Sequence, residues 1–92
     1  MKYDHKFKIE IDDLSEFLKS ENRLLLKEDM LQLICDNYII DVGFYNTEFI
    51  LYIIKDYNWD KPYLKININD KCMLTKVINK ACSEVLSLIE NK

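Results

Sequence analysis

Residues that build catalytic loops are scarce in this 92-residue chain, which has one glycine, one proline and one histidine. Phosphate-binding loops, dinucleotide-binding turns and nucleophile elbows each need several glycines at set spacings, and Gly43 alone cannot supply them. His5 alternates with Phe7 and Ile9, so it is interpreted as a strand residue rather than a general base. The chain is therefore predicted not to be an enzyme and to need no cofactor.

Metal ligands at short spacing and long apolar runs are also missing. Cys35, Cys72 and Cys82 form no CxxC pair, and a zinc site would have to gather them with His5 from remote segments, so no metal is expected. Each cysteine has apolar neighbours in a helix-like context, which predicts three small buried side chains in a reducing cytoplasm. The N-terminus lacks an apolar signal core, and no run approaches the roughly 18 apolar residues of a membrane span.

The charge balance argues against nucleic acid as a direct partner. The chain has 13 basic and 16 acidic residues and a formal net charge of −3, and Arg23 is its single arginine. Phosphate backbones are bound by clustered Lys and Arg side chains, which this balance does not favour. With 49% hydrophobic residues, the chain is expected to fold as one domain over residues 1–92.

Hydrophobic periodicity predicts the order of the elements. Residues 3–11 alternate as a half-buried strand, and Asp13 with Glu16 has the form of a capping box that starts a short helix. A second helix is predicted from about residue 26 to residue 35, and a long one from about residue 74, capped by Asn69 or Asp70. The strands between predict an antiparallel meander over residues 38–69. The expected fold is a two-layer α+β sandwich of order β-α-α-β-β-β-α, with helices on one face of about four strands.

The faces of the meander follow from the lengths of its turns. A three-residue turn from Tyr45 to Phe49, with Tyr57 opposite Tyr63, would keep even-numbered residues on one face throughout. That face is apolar and is expected to meet the helices, so Ile54 should join the core. The odd-numbered face would mix aromatic, aliphatic and charged groups.

Aromatic residues near the strand ends are the strongest functional feature. Trp and Tyr concentrate in binding hot spots because they bury a large area at little rotamer cost. Carboxylates beside them would suit a basic protein such as a nuclease or nucleic-acid-binding protein, whose cleft they can occupy in place of phosphates. Trp59 could equally be a structural plug over the sheet edge. The predicted partner-binding set is Asp41, Tyr45, Asp56, Tyr57, Trp59, Asp60 and Tyr63.

The segment Asp41-Val-Gly-Phe-Tyr45, followed by an apolar strand and then Trp59-Asp-Lys-Pro62, resembles small acidic immunity proteins of bacterial polymorphic-toxin and contact-dependent inhibition systems. The likeness covers about residues 38–68, a third of the chain. It implies a stoichiometric protein that binds a cognate toxin domain, often a nuclease, and blocks it without chemistry. It assigns no contact residue, because this family varies most at its contact surface.

Two other functions stay open at this point. A phage-encoded anti-defence inhibitor, such as an anti-CRISPR protein, is also small, acidic and free of catalytic motifs. A homodimeric structural or assembly module would instead associate through an exposed strand edge or through the odd-numbered sheet face. Mixing the chain with a protein encoded beside it distinguishes a heterocomplex from a homodimer.

Overall fold

The computed structural model describes residues 3–91, whose strands form one five-stranded antiparallel sheet in chain order. The strands are β1 (Lys8–Asp12), β2 (Leu31–Cys35), β3 (Tyr38–Tyr45), β4 (Glu48–Lys55) and β5 (Leu64–Ile68). Helix α1 (Leu14–Ser20) lies between β1 and β2, and helix α2 (Leu74–Glu90) follows β5. Short 3-10 turns cover Arg23–Leu25 and Lys71–Met73. The predicted α+β class is confirmed.

The prediction of a second helix over residues 26–35 was wrong, because this segment contains the strand β2. Leu31 and Leu33 are fully buried and alternate with half-buried residues, and β2 pairs with β1 on one side and β3 on the other. Apolar positions in this segment fit both helical spacing and strand alternation, so pairing with two neighbouring strands decides the outcome. The sheet therefore has five strands, and the order is β-α-β-β-β-β-α.

The predicted first strand begins later than expected. The Phe7 amide donates to the Asp4 carbonyl oxygen at 3.0 Å and closes a turn, so the strand starts at Lys8. Phe7 is buried as predicted, but His5 is exposed and Ile9 is more than half exposed. The strand starts late because this turn breaks the alternation on which the prediction depended.

Helix α1 starts at the predicted place but with a different cap. Asp12, not Asp13, accepts hydrogen bonds from the Ser15 amide at 3.0 Å and the Ser15 hydroxyl at 2.7 Å. Asp13 makes no side-chain cap and instead pairs with Lys27. Before α2, Asp70 accepts from the Cys72 amide at 2.9 Å and caps the 3-10 turn that precedes the helix. Helix α2 itself begins after Met73 without a side-chain cap, so the prediction that Asn69 or Asp70 caps this helix was wrong by the length of that turn.

A two-residue turn between β3 and β4 changes which face β4 presents. Tyr45 pairs with Glu48, where a three-residue turn was expected, and Leu51 pairs with Ile66 of β5. Because side chains alternate along a strand, this one-residue difference exchanges the two faces of β4 relative to β3. The predicted pairing of Tyr57 with Tyr63 was also wrong: the register of β5 on β4 is shifted by three residues, which returns the even-numbered residues of β5 to the face of β3. Even-numbered residues of β3 and β5 and odd-numbered residues of β4 therefore share a face.

That shared face carries the core. Both helices bury their apolar side chains with it, and the core includes Leu14 and Phe17 of α1 and Ile78 and Val85 of α2. Ile53 belongs to this core, whereas Ile54 lies on the other face of the sheet, so the placement of Ile54 against α2 was wrong. Ile54 is nevertheless buried, beside Ile39 of β3.

The cysteines divide into three environments. Cys82 is buried, and burial raises the pKa of its thiol to about 11. Cys35 is half-buried and Cys72 is exposed, so the expectation of three buried cysteines holds for one of them. Over residues 3–91, neither helix combines the length and the apolar character needed to cross a membrane.

Candidate functional site

The turn from β4 to β5 is the main cluster of exposed aromatic side chains. The exposed fractions are 66% for Tyr57, 47% for Trp59 and 46% for Tyr63. These are three of the six large apolar side chains that are exposed within residues 3–91. We call residues 56–63 the aromatic turn.

Backbone geometry holds the start of the aromatic turn in a conformation that its residues seldom adopt. Asp56 has φ 56° and Tyr57 has φ 59°, and the Asn58 amide donates to the Lys55 carbonyl oxygen at 3.1 Å. Two successive left-handed residues inside such a hydrogen bond make a type I′ turn, which favours Asn and Gly. A tyrosine there costs about 1 kcal/mol or more.

The neighbouring β2–β3 turn fixes this conformation from outside. The Asp56 amide donates to the Asn37 carbonyl oxygen at 2.8 Å, and the Asn37 side-chain amide donates to the Asp56 carboxylate at 2.7 Å. Sequence reasoning missed Asn37, because it directly follows the segment of residues 26–35 that was predicted to be a helix. Its place as a turn between two strands was the available signal.

Tyr63 connects the aromatic turn to the rest of the molecule. Its ring packs edge-on against Tyr38 with centroids 6.4 Å apart, and its hydroxyl lies 3.5 Å from a Glu84 carboxylate oxygen of α2. Its amide also donates to the Ile53 carbonyl oxygen at 2.8 Å. The turn is therefore fixed at both of its ends, which lowers the entropy lost when a partner orders its side chains.

Two of the predicted site residues lie elsewhere. Tyr45 ends β3 beside the opposite turn, so the length of β4, roughly 25 Å for its eight residues, separates it from the aromatic turn. Asp41 is 3% exposed on the helix-free side of β3, where it accepts from the Gln32 side-chain amide at 2.8 Å. The structure brings Asp56, Tyr57, Trp59, Asp60 and Tyr63 together on one turn, without Asp41 and Tyr45.

The charges around the aromatic turn are mixed. Asp56 is engaged with Asn37, whereas Asp60 is exposed and has no ion pair or side-chain hydrogen bond within residues 3–91. Asp36 adds a third exposed carboxylate on the adjoining turn, and Lys55 and Lys61 are exposed within or beside the same segment. Within these two turns, three carboxylates against two ammonium groups make the surface weakly acidic.

The Asp41 carboxyl has a raised pKa. Burial is the main cause, the hydrogen bond from Gln32 acts in the opposite direction, and the nearby Asp29 charge raises the pKa further. A buried carboxyl of this kind is a candidate acid or base only beside other reactive groups. Within the described residues, no three His, Cys, Asp or Glu side chains come together to hold a metal ion.

The chain was compared with protein-family models, with curated proteins and with solved structures. None of the three comparisons gave a match.

Proposed function

We propose that this chain is a non-enzymatic inhibitor that binds a protein partner through the aromatic turn, in the manner of an immunity protein that blocks a toxin domain. The observation that carries the proposal is the display of three exposed aromatic side chains on a turn held by hydrogen bonds to Asn37 and Ile53. Rigid, exposed Tyr and Trp side chains supply most of the binding energy in many interfaces.

The backbone conformation of Tyr57 supports the same proposal. A tyrosine at positive φ lowers stability, and such strain is common where a side chain must be held for contact with a ligand or partner. The residue exposes 66% of its surface, so burial within the fold does not account for its presence there.

The weakly acidic character of the surface bears on the kind of partner. A basic protein, such as a nuclease or nucleic-acid-binding domain, would be attracted by Asp36 and Asp60, although Lys55 and Lys61 limit the attraction. Electrostatic steering should therefore be modest, and the aromatic contacts should determine the lifetime of the complex.

The test uses the purified chain and the protein encoded beside its gene. A one-to-one complex that abolishes the toxicity or nuclease activity of that protein would support an immunity function. Trp59→Ala should weaken the complex by about 2 kcal/mol or more while the variant still folds. Met73→Ala is the matched control, because Met73 is 42% exposed outside the aromatic turn.

Two results would contradict the proposal. One is a complex whose affinity is the same for Trp59→Ala and the unmodified chain. The other is a Trp59→Ala variant whose melting temperature falls by about 5 to 10 °C and whose folded fraction still binds normally, because Trp59 would then be a structural residue. If the partner belongs to a host defence system rather than a toxin, the same surface would serve an anti-defence inhibitor.

Homodimerisation is a second candidate that one observation favours. The two edge strands differ: β1 has an irregular register between Ile9 and Ile11, whereas β5 pairs with β4 without interruption. A regular edge strand can pair with a second copy of itself. A concentration-independent monomer in light scattering would exclude this function, and a stable dimer that ignores the neighbouring protein would favour it over inhibition.

A further inference from the structure

A cavity of about 200 Å³ lies at the end of the sheet opposite the aromatic turn. It is bounded by α1, the 3-10 turn Arg23–Leu25, the β3–β4 turn and the segment between β5 and α2. Its lining contains three of the chain's four phenylalanines. The full lining is Phe17, Arg23, Leu26, Phe44, Thr47, Phe49, Asn69 and Lys71.

The floor of the cavity is aromatic. The Phe49 ring lies between the other two, with centroids 5.8 Å from Phe17 and 5.0 Å from Phe44. Phe17 and Phe49 are buried, and Phe44 and Leu26 are half-buried. Since an apolar cavity of about 150 Å³ can hold benzene, this one has room for a single ring or a short alkyl chain with one small polar group.

The rim of the cavity is positively charged on a chain whose net charge is −3. Arg23 and Lys71 line it, and no carboxylate does. Lys71 pairs with Glu21, whereas the Arg23 guanidinium has no ion pair or hydrogen bond within residues 3–91. Thr47 and Asn69 add an exposed hydroxyl and an exposed amide beside these cations.

Local capping fixes the backbone on which the two cations stand. The Asn22 side chain accepts from the Leu24 amide at 3.0 Å and caps the turn that carries Arg23. Asp70 caps the turn that carries Lys71. The rim is therefore built on two ordered turns, and a guanidinium there can bind a carboxylate through two parallel hydrogen bonds.

We propose that this cavity is a binding site for a small carboxylate that bears an aromatic ring or a short apolar chain. The apolar group lies against the phenylalanine floor, and the carboxylate binds Arg23, with Lys71, Thr47 and Asn69 beside it. The site is separate from the aromatic turn, so this proposal does not depend on the proposed inhibitor function.

Phenylacetate is the probe that tests the site. Titration followed by amide chemical shifts should show saturable binding, with shifts at residues 23–26, 44–49 and 69–71 and none at 56–63. Phenylacetamide, which keeps the ring and loses the charge, should bind at least tenfold more weakly. Acetate, which keeps the charge and loses the ring, should show no saturation.

Arg23→Gln should reduce phenylacetate affinity at least tenfold, and Arg23→Lys should retain part of it because the charge remains. Lys19→Gln is the matched control, since Lys19 is an exposed cation of α1 that does not line the cavity. Arg23 is exposed, so its variants should have the same melting temperature as the unmodified chain. Equal binding of phenylacetate and phenylacetamide, equal binding by Arg23→Gln, or no saturable binding of phenylacetate would each overturn the proposal.

The natural carboxylate can come from a free acid or from the C-terminus of a peptide. A short peptide ending in Phe with a free carboxylate, compared with its C-terminal amide, distinguishes the sources. Tighter binding of the free-carboxylate peptide than of phenylacetate would assign the site to a peptide terminus. Equal or weaker binding would assign it to a free acid.

Discussion

The two ends of the sheet are both rich in aromatic side chains, but they present them in opposite ways. At one end, Tyr57, Trp59 and Tyr63 are exposed on a turn beside carboxylates. At the other, phenylalanines form the floor of a cavity with two cations at its rim. Tyr and Trp carry a polar group that tolerates water, whereas Phe does not, so the residue types match the two environments.

The difference indicates two kinds of recognition on one small fold. An exposed aromatic surface of this kind buries area only when a large partner covers it, which is typical of protein interfaces. A concave apolar cavity with a few polar groups suits a small ligand. The two ends should therefore respond to different substitutions, whereas a change in the core that they share should remove both.

The largest effect is expected from the core that both ends share. Val85 is fully buried between α2 and the sheet, so Val85→Asp would place a carboxylate in an apolar core and cost about 3 kcal/mol or more. Thermal unfolding should show loss of the folded state, and neither end should bind. Ser83→Asp is the control, because Ser83 is exposed on the same helix. Cooperative melting of Val85→Asp at the unmodified temperature would contradict this account of the core.

Gly43→Ala should have the next largest effect and should act mainly on the cavity end. A Cβ at residue 43 would lie 1.9 Å from the Glu28 carbonyl oxygen, so the segment of residues 27–30 would have to move. We expect the free energy of unfolding to fall by about 2 kcal/mol and the melting temperature to fall by about 10 °C. The Phe44 amide donates to the Lys27 carbonyl oxygen at 2.9 Å, so movement of this segment should displace Phe44. Since Phe44 lines the cavity, the variant should bind phenylacetate less well.

The control for Gly43→Ala is Tyr45→Phe. The Tyr45 hydroxyl donates to the same Glu28 carbonyl oxygen at 3.3 Å, so this change removes a contact there without adding an atom. It should cost no more than about 1 kcal/mol. If the two variants lost similar amounts of stability, the close approach of residue 43 to the Glu28 carbonyl oxygen would not explain why a glycine stands there.

Matched changes in the turns at the two ends should shift stability in opposite directions. Tyr57→Asn places a residue that tolerates positive φ where a tyrosine now stands, and should raise stability by about 0.5 to 1 kcal/mol. Asn46 has φ 59° in the β3–β4 turn, and Asn46→Ala replaces a residue that tolerates this conformation with one that does not. This change should lower stability by a similar amount. Denaturant titration measures both.

Partner affinity should separate the same two variants. Tyr57→Asn should weaken the protein complex although it stabilises the fold, and Asn46→Ala should leave the complex unchanged. A Tyr57→Asn chain that is less stable than the unmodified one would show that the tyrosine packs favourably rather than being held for contact.

Asp41→Asn should have the smallest effect. Its folded pKa is raised, so the folded state binds the proton more readily than the unfolded state. The stability that this proton contributes is present below the ordinary pKa of 3.8 and is lost as pH rises through the raised folded value. Asp41→Asn should remove this pH dependence and slightly raise stability at pH 7, with partner affinity unchanged. A weakened complex would return Asp41 to the binding surface.

The sequence predicts α2 and the class of the fold well, because the apolar positions of α2 recur at helical spacing over its 17 residues. It predicts β2 badly. Met30, Leu33 and Ile34 have helical spacing, and only pairing with β1 and β3, which are remote in sequence, makes this segment a strand. The predicted register was also wrong at both turns that flank β4, by one residue at the β3–β4 turn and by three at the β4–β5 turn, and these errors exchanged the faces of β4 alone.

The two candidate sites also differ in how far local sequence predicts them. The aromatic turn lies within one short segment, so composition alone locates most of it, although the sequence cannot show that Asp41 is buried or that Tyr45 is at the far end. The cavity combines Phe17, Arg23, Phe44 and Lys71 from four separate segments. No local pattern joins them, so only the packing of α1 against the sheet could reveal the site.

The most direct test of the account is a map of amide chemical-shift changes in the isotope-labelled chain when the protein encoded beside it is added. If the partner binds through the aromatic turn, the changes should be concentrated at residues 36–37 and 56–63, with residues 23–26, 44–49 and 69–71 unchanged and still able to bind phenylacetate. Changes concentrated at the cavity end, with the aromatic turn unaffected, would contradict it.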